Sequence, residues 1–459
     1  MNIEKFLFDL SSEFQEMQKN GRSCEMIYAL EKISVQVLNL LGNAYGDFLS
    51  QHQKAIELYQ TALIIDPTDC DTCNNIVYDS MFMEDYEKAS LASERQIRIS
   101  ENNAFSYFNA GVLKMCQNKP LEAIQMYKKA IDLNPNDFSS ILNSALCKLK
   151  IETCQEAWDD FEFRFESSQL MKKSKSRFLI PEWNGEDLKN KTIYVYNEQG
   201  VGDFIFYARF IPMIKKFGGK VKVEIQKILS SIIGYNLKID QIIYQKDNII
   251  DSSEADFFVS VCSLPRILKI NSEDKIPKDP YFFSCDKSMP EFFDKDKFKI
   301  GICWAGNQNH KFDYTRSTFF KYWSNVFEVP NAQVFNLVKG VSGFRKWPTG
   351  MVNLHDGIEN FPIINLENYI NDFGDLMHYV NHLDLVVTID TALANLAGAM
   401  GKRTWLLVGD VVDWRWGLDK EFTPWYPSIK IFQKKHSFKI ALEDIFYNLK
   451  KEQIEKAGI

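Results

Sequence analysis

The sequence predicts an α + α/β protein, an all-α array of repeated helix pairs followed by two α/β units with parallel sheets. Three observations predict it. One self-similar block recurs with a period of 34 residues through the first third of the 459-residue chain. From about residue 191, apolar β-branched runs alternate with helical stretches, the pattern of strands buried between helix layers. A polar break at 284–297, SCDKSMPEFFDKDK, divides that alternation in two.

The repeated block is carried by Ala55, Ala89, Ala123 and Ala157, each 34 residues from the last. A small residue at that position lets two helices approach, a larger one four later (Tyr59, Tyr127, Phe161) fills the groove, and Pro67 and Pro135 stop the second helix. The second block is degenerate, with Ser93 and Gln96 where a bulky and a small residue belong. Tyr107 and Gly111 complete the third. The pattern resembles the tetratricopeptide repeat, which implies a superhelix whose concave face binds a protein partner. Residues 8–40 are helical in pattern and read as an early divergent repeat or cap.

Composition removes several classes. Forty-five per cent apolar and a quarter charged is ordinary for a globular chain. A net charge of -7, with both signs mixed along the sequence, gives no basic face for nucleic acid. No run approaches eighteen apolar residues, so no membrane span is expected, and MNIEKFLFDLSSEF carries acids where a signal peptide needs a positive flank. The expected location is cytoplasmic. Nine cysteines without paired spacing fit reduced thiols, and the Cys70–Cys73 pair lacks a second pair to hold a metal.

The expected organisation is a repeat domain over 1–165, a linker over 166–190, a first α/β domain over 191–290 and a second over 291–459. Ligands of such paired units bind where strands end. The first strand, TIYVY, ends in NEQGVGDFIF, where Gly200 and Gly202 permit a tight turn. Asp203 then either caps the following helix or accepts a proton from a substrate hydroxyl. FKIGICW ends at Trp304 and leads into AGNQNHKFDYTRS, whose Asn307, His310, Lys311 and Arg316 suit an anionic ligand or form a solvated basic loop. LDLVVTI ends at Asp390 and Thr391, ahead of a helix of small residues that includes Asn395. Free N–H groups and the positive dipole end there form an anion site that fits a diphosphate, with Thr391 adding a hydroxyl, or the small residues simply let helix pack on sheet. No phosphate-binding GxxxxGK[ST] and no metal-ligand cluster is present.

Together with DWRW (413–416) and TPWYP (423–427), these loops resemble a glycosyltransferase module similar to the bacterial heptosyltransferases, over about residues 183–432. The resemblance implies a GT-B fold of two facing Rossmann-like domains, with the acceptor on the first, a nucleotide-diphosphate sugar on the second, and no metal or other cofactor. It places the general base on Asp203, beside Gly202, and puts His310, Asp313, Arg316, Ser317, Asp390 and Thr391 near the donor diphosphate. Asn395 stands where related sequences carry histidine. Trp304, Trp414 and Trp416 are candidates to line the cleft. The implied activity is inverting sugar transfer to a Ser or Thr hydroxyl of a protein, flagellin among the candidates, recruited by the repeats. A glycan- or lipid-directed transferase, a catalytically silent interaction protein and a repeat array that only drives homo-oligomerisation are the alternatives.

Overall fold

The computed structural model describes residues 23–245, 248–285, 288–310, 313–340, 343–347, 350–434 and 436–457. Lys311 and residues 8–22 of the expected N-terminal helical stretch lie outside them. Two compact units separate, Met1–Leu113 with Lys346–Met351 and Lys114–Arg345 with Val352–Ile459, so one division falls between Leu113 and Lys114, inside the third repeat.

The N-terminal part of the first unit is helical. It holds α1 (Ser23–Asn43), α2 (His52–Ile65), α3 (Cys70–Phe82), α4 (Tyr86–Ile99) and most of α5 (Ala104–Cys116). Asp69 and Asp85 start α3 and α4 by accepting the N–H groups of Thr72 and Lys88 at 2.8 and 3.1 Å, which satisfies donors the helix cannot use itself. Ala55 and Ala89 are fully buried, and Tyr59 packs with Ile76, Val77 and Ala92. The degenerate second repeat keeps its register with polar residues in the core. Ser93 and Gln96 are buried, and the Gln96 amide donates to the Cys70 carbonyl at 3.5 Å.

The second unit opens with α6 (Pro120–Leu133), α7 (Phe138–Ile151) and α8 (Gln155–Phe161), where Ala123, Tyr127 and Ala157 occupy the same buried positions. Two short helices follow, α9 (Arg164–Ser167) and α10 (Gln169–Ser176). The 166–190 stretch, expected as a linker, is instead built into the first α/β lobe. Phe178 stacks on Phe258 with centroids 4.4 Å apart, Trp183 packs edge-on against Phe217, and Arg177 pairs with buried Glu224 through two hydrogen bonds of 2.6 and 2.8 Å. Its polar composition concealed four apolar anchors, Phe178, Ile180, Trp183 and Leu188, all buried.

The first lobe is a parallel sheet of β1 (Thr192–Tyr196), β2 (Lys220–Ile225), β3 (Gln241–Tyr244) and β4 (Phe257–Ser260) in the order β3-β2-β1-β4. Helix α11 (Val201–Tyr207) leaves the end of β1. The second lobe orders its strands β10-β11-β9-β8-β5-β6-β7. These are β5 (Phe298–Cys303), β6 (Ala332–Asn336), β7 (Ile364–Asn365), β8 (Leu385–Ile389), β9 (Thr404–Val408), β10 (Phe422–Thr423) and β11 (Tyr426–Gln433). All pair in parallel except β10 with β11. Helix α12 (Phe373–His382) precedes β8, α13 (Ala392–Ala399) follows it, and α14 (Phe438–Ala457) closes the lobe. Every residue of β8 and β9 is buried, as their unbroken apolar runs require of central strands covered on both faces. Helical repeats followed by two parallel-sheet lobes are the fold class that the sequence predicts.

Candidate active site

The site forms where the helix after β1 meets the helix after β8. Both helices are slim at the contact. A methyl placed on Gly202 would lie 3.3 Å from the Ala392 Cα and 3.5 Å from the Asn395 Nδ2, so glycine there sets how near the two lobes come. Asn395 is itself buried and its Oδ1 accepts the Tyr426 hydroxyl at 3.2 Å.

Asp203 is the third residue of α11. Its Oδ2 folds back to accept the Gly200 N–H at 3.1 Å, and its Oδ1 accepts Arg415 Nη2 at 2.6 Å. Asp203 is therefore both the cap of its helix and the ion-pair partner of Arg415. Arg415 also reaches Asp413, at 3.1 and 3.2 Å to its two oxygens, so one guanidinium holds two carboxylates. Burial opposes the charge on Arg415, but Asp413 and Asp203 outweigh it and raise its pKa well above the usual value. Phe206 and Trp414 lie against its face at 4.8 Å.

Across the contact, Thr391 begins α13 in extended backbone (φ -142°, ψ 176°) and no side chain caps the helix. The first turn closes with Ala394 N–H donating to the Thr391 carbonyl at 3.0 Å, so the N–H groups of Ala392 and Leu393 precede the helix's own ladder. The Thr391 hydroxyl is buried and has no hydrogen-bond partner among the described residues. Arg316 braces the same corner, its Nη1 donating to the Asp390 carbonyl at 3.0 Å and its Nε lying 3.3 Å from Asp313. Asp313 is buried, accepts Ser317 Oγ at 2.8 Å, and Ser317 in turn accepts the Gly306 N–H at 2.9 Å. Burial first, and then the charge of Asp413, push the Asp390 carboxyl up to about 6. Desolvation and the Arg316 charge lower the His310 pKa, and Asp203 acts on it in the opposite sense. Asn307 is exposed and turned on itself, accepting the Asn309 N–H at 3.0 Å.

Of the three tryptophans expected at the cleft, Trp304 and Trp416 are core, while Trp414, largely buried, also lines a cavity beside Asp203. Trp304, Trp414 and Trp416 are 0%, 6% and 1% exposed. Trp304 packs edge-on against Phe320, and Trp414 edge-on against Trp158, Phe206 and Trp425. Indole area is worth more removed from water than lining it. Asp413, Trp414 and Arg415 of DWRW all reach the site, and Arg415 is the one that pairs with Asp203.

A cavity of 300 Å³ opens beside Asp203. Asp413, Arg415 and Gln199 line one side, and Leu142 and Leu146 of α7, Phe161 and Met171 the other. The last repeat thus forms a wall of the candidate site. It is held there by Lys150, which donates to the Val412 carbonyl at 2.9 Å, and by Trp158, whose Nε1 donates to the Ile270 carbonyl at 2.7 Å.

With this geometry in place, the comparisons with known proteins fall into two kinds. The tetratricopeptide repeat model matches residues 35–69 and 106–137, so these stretches are repeats of that type. Protein FlbA of Caulobacter vibrioides is 22% identical over 415 residues, spanning 84% of this chain and 67% of FlbA. BBSome complex member BBS4 of Bos taurus is 23% identical over 159 residues, spanning 34% of this chain and 29% of BBS4. Among solved structures, a mutant of the Thermobaculum terrenum O-GlcNAc transferase aligns over 93% of each chain at 12% identity and a TM-score of 0.33. MamA aligns over 35% of this chain and 96% of its own at 22% identity and a TM-score of 0.27. Among the described residues no helix is long and apolar enough to cross a membrane.

Proposed function

We propose that the chain is an inverting glycosyltransferase that moves a sugar from a nucleoside-diphosphate donor to a Ser or Thr hydroxyl of a protein. One observation carries the reading. The Gly202 backbone packs on the start of α13, so a carboxylate from one lobe and an uncapped helix start from the other belong to one site.

The helix start takes the diphosphate through the N–H groups of Ala392 and Leu393, aided by its dipole and by Arg316. Positive charge from these groups stabilises the leaving diphosphate, the part a bound cation plays elsewhere. Asp203 takes the proton of the acceptor hydroxyl as that oxygen attacks the anomeric carbon and the bond to the diphosphate oxygen breaks. Inversion follows from attack opposite the leaving group. A carboxylate has about four lone-pair sites, so the Gly200 and Arg415 bonds leave Asp203 able to accept a further proton. The cavity beside Asp203 admits the acceptor past α7, and a wall made by the last repeat favours a polypeptide brought by the array.

The test incubates the intact chain with a panel of nucleotide sugars, measuring nucleoside diphosphate release, mass gain on candidate acceptor proteins and thermal shift with each diphosphate. A ligand at a hundred times its Kd adds about 2.7 kcal/mol of stability. Release and a matching shift for one nucleotide are expected. No shift with any diphosphate and no release from any donor would overturn the reading, and transfer to free glycan but never to protein would overturn the choice of acceptor.

A further inference from the structure

The loop that delivers Asp203 contains a buried carboxylate that the mechanism does not use. Glu198, between the end of β1 and Gly200, has a side chain with 0% exposure. One of its oxygens accepts Arg164 Nε at 2.6 Å, and the other has no hydrogen-bond partner among the described residues. Arg164 belongs to α9, directly after the last repeat, and is 3% exposed. Its remaining donors reach Glu162 at 2.7 Å, the Phe161 carbonyl at 3.1 Å and Ser263 Oγ at 2.7 Å, and the rings of Phe161 and Phe165 lie 4.5 and 4.2 Å from its guanidinium carbon.

We infer that Arg164 is a positioning residue that ties the last repeat to the base-bearing loop by neutralising Glu198. A buried carboxylate paired through a single guanidinium is costly to separate from it. The link from Glu198 to Asp203 is short and stiff. The Asn197 amide donates to the Gln199 carbonyl at 3.0 Å, the Gln199 N–H returns to the Asn197 oxygen at 3.3 Å, and the next N–H, that of Gly200, is the one Asp203 accepts. Moving Glu198 toward water therefore moves the capping contact that sets the Asp203 rotamer. Arg164 also lines the cavity beside Asp203, so an acceptor resting against the last repeat touches the residue that fixes the base. The catalytic part of this inference rests on Asp203 being the base, but the mechanical part does not.

Hydrogen exchange of the intact chain separates the two. In Arg164→Met, the amides of 197–203 are expected to exchange at least about tenfold faster, because the uncompensated charge opens the loop. Glu198→Gln keeps the other Arg164 bonds and the fold, and is expected to loosen the same amides by a smaller factor. Combining both changes removes both charges and is expected to restore most of the protection. With a transferable donor, Arg164→Met should lower kcat at least about tenfold while the donor KM stays within about twofold, and Arg164→Lys should recover part of it. If neither single variant alters exchange at 197–203, or if kcat and donor KM change together, Arg164 only supports packing and the inference falls. Failure of the transferase reading looks different: exchange responds as expected while the unsubstituted chain transfers nothing.

Discussion

The two strand-to-helix junctions at the site, β1 into α11 and β8 into α13, share a local design and put it to opposite use. Each central strand ends in a tight turn, and each helix begins without a capping side chain at its first position. In the first junction the third helical residue, Asp203, folds back on the Gly200 N–H, so a resident carboxylate meets the positive end of the helix. In the second, the residues after Thr391 are Ala, Leu and Ala, and nothing in the first turn carries negative charge. Arg316 holds the Asp390 carbonyl rather than a carboxylate of that turn. One junction brings its anion with it and the other has donors for an anion from outside. The proposed function rests on that difference, with proton transfer proposed for the first and diphosphate binding for the second.

Removing the resident carboxylate breaks the comparison most severely. Asp203→Asn keeps the size of the side chain and an oxygen for Gly200, but it cannot take a proton. Turnover should fall about 10²–10⁴-fold, the usual contribution of general base catalysis. Diphosphate affinity by thermal shift should be almost unchanged, because the second junction is intact. Equal loss of both would mean that Asp203 organises the contact and does not act on the acceptor.

The complementary change is Arg316→Ala. Hydrogen bonds to charged groups contribute about 1.5–3 kcal/mol, so diphosphate affinity should weaken at least about tenfold. Arg316→Lys should recover only part, since a point charge cannot hold the Asp390 carbonyl and a phosphate together. A titration of nucleoside diphosphate into each variant by calorimetry checks this. Unchanged affinity would remove Arg316 from the donor side.

Pushing the junctions apart comes third. Gly202→Val places branched carbons where a single methyl is already 3.3 Å from the Ala392 Cα. Overpacking of this kind costs about 1–3 kcal/mol, read as a lower denaturation midpoint. In Gly202→Ala a milder overlap is offset by a helix propensity gain of up to about 1 kcal/mol, and the variant should be nearly neutral. If valine is also neutral, the lobes are not in the contact described.

Much of this was legible because the signals were local. The period of 34 survives in the buried alanines, and in the second repeat the buried Gln96 donates its amide N–H to a backbone carbonyl. The apolar run of β8 and the small residues of α13 announce a buried strand and a close approach. The pairing of Asp203 with Arg415 was not legible, since 212 residues separate them and an arginine between two tryptophans reads as part of an aromatic cluster. The signal was an arginine between two tryptophans bound for the core, where its charge needs carboxylate partners. Strand β3, QIIY, is short and half exposed at a sheet edge, so periodicity could not separate it from loop. Polar residues between Phe178 and Leu188 likewise hid anchors that only the sheet reveals.

The smallest expected effect concerns the second junction alone and comes from Asp390. Its carboxyl is pushed up to about 6 by burial and by Asp413, well above the usual carboxylate range. A raised acid binds its proton more tightly in the folded chain than in the unfolded one. Stability contributed by protonated Asp390 is therefore lost as pH rises between about 4 and 6. The same proton matters to the ligand: a neutral Asp390 beside the α13 start repels no diphosphate, whereas an ionised one does. With an effective dielectric of about 40 and a separation of about 8 Å, one unit charge costs about 1 kcal/mol, or roughly fivefold in affinity. Diphosphate affinity should thus decline by that factor from pH 5 to pH 7, against the trend set by the ligand's own growing charge. Asp390→Asn holds the site neutral throughout and should remove the decline, leaving only the ligand's ionisation. Calorimetric titrations of both proteins across that range compare the two slopes directly, and parallel slopes would place Asp390 too far from the phosphates to sense them.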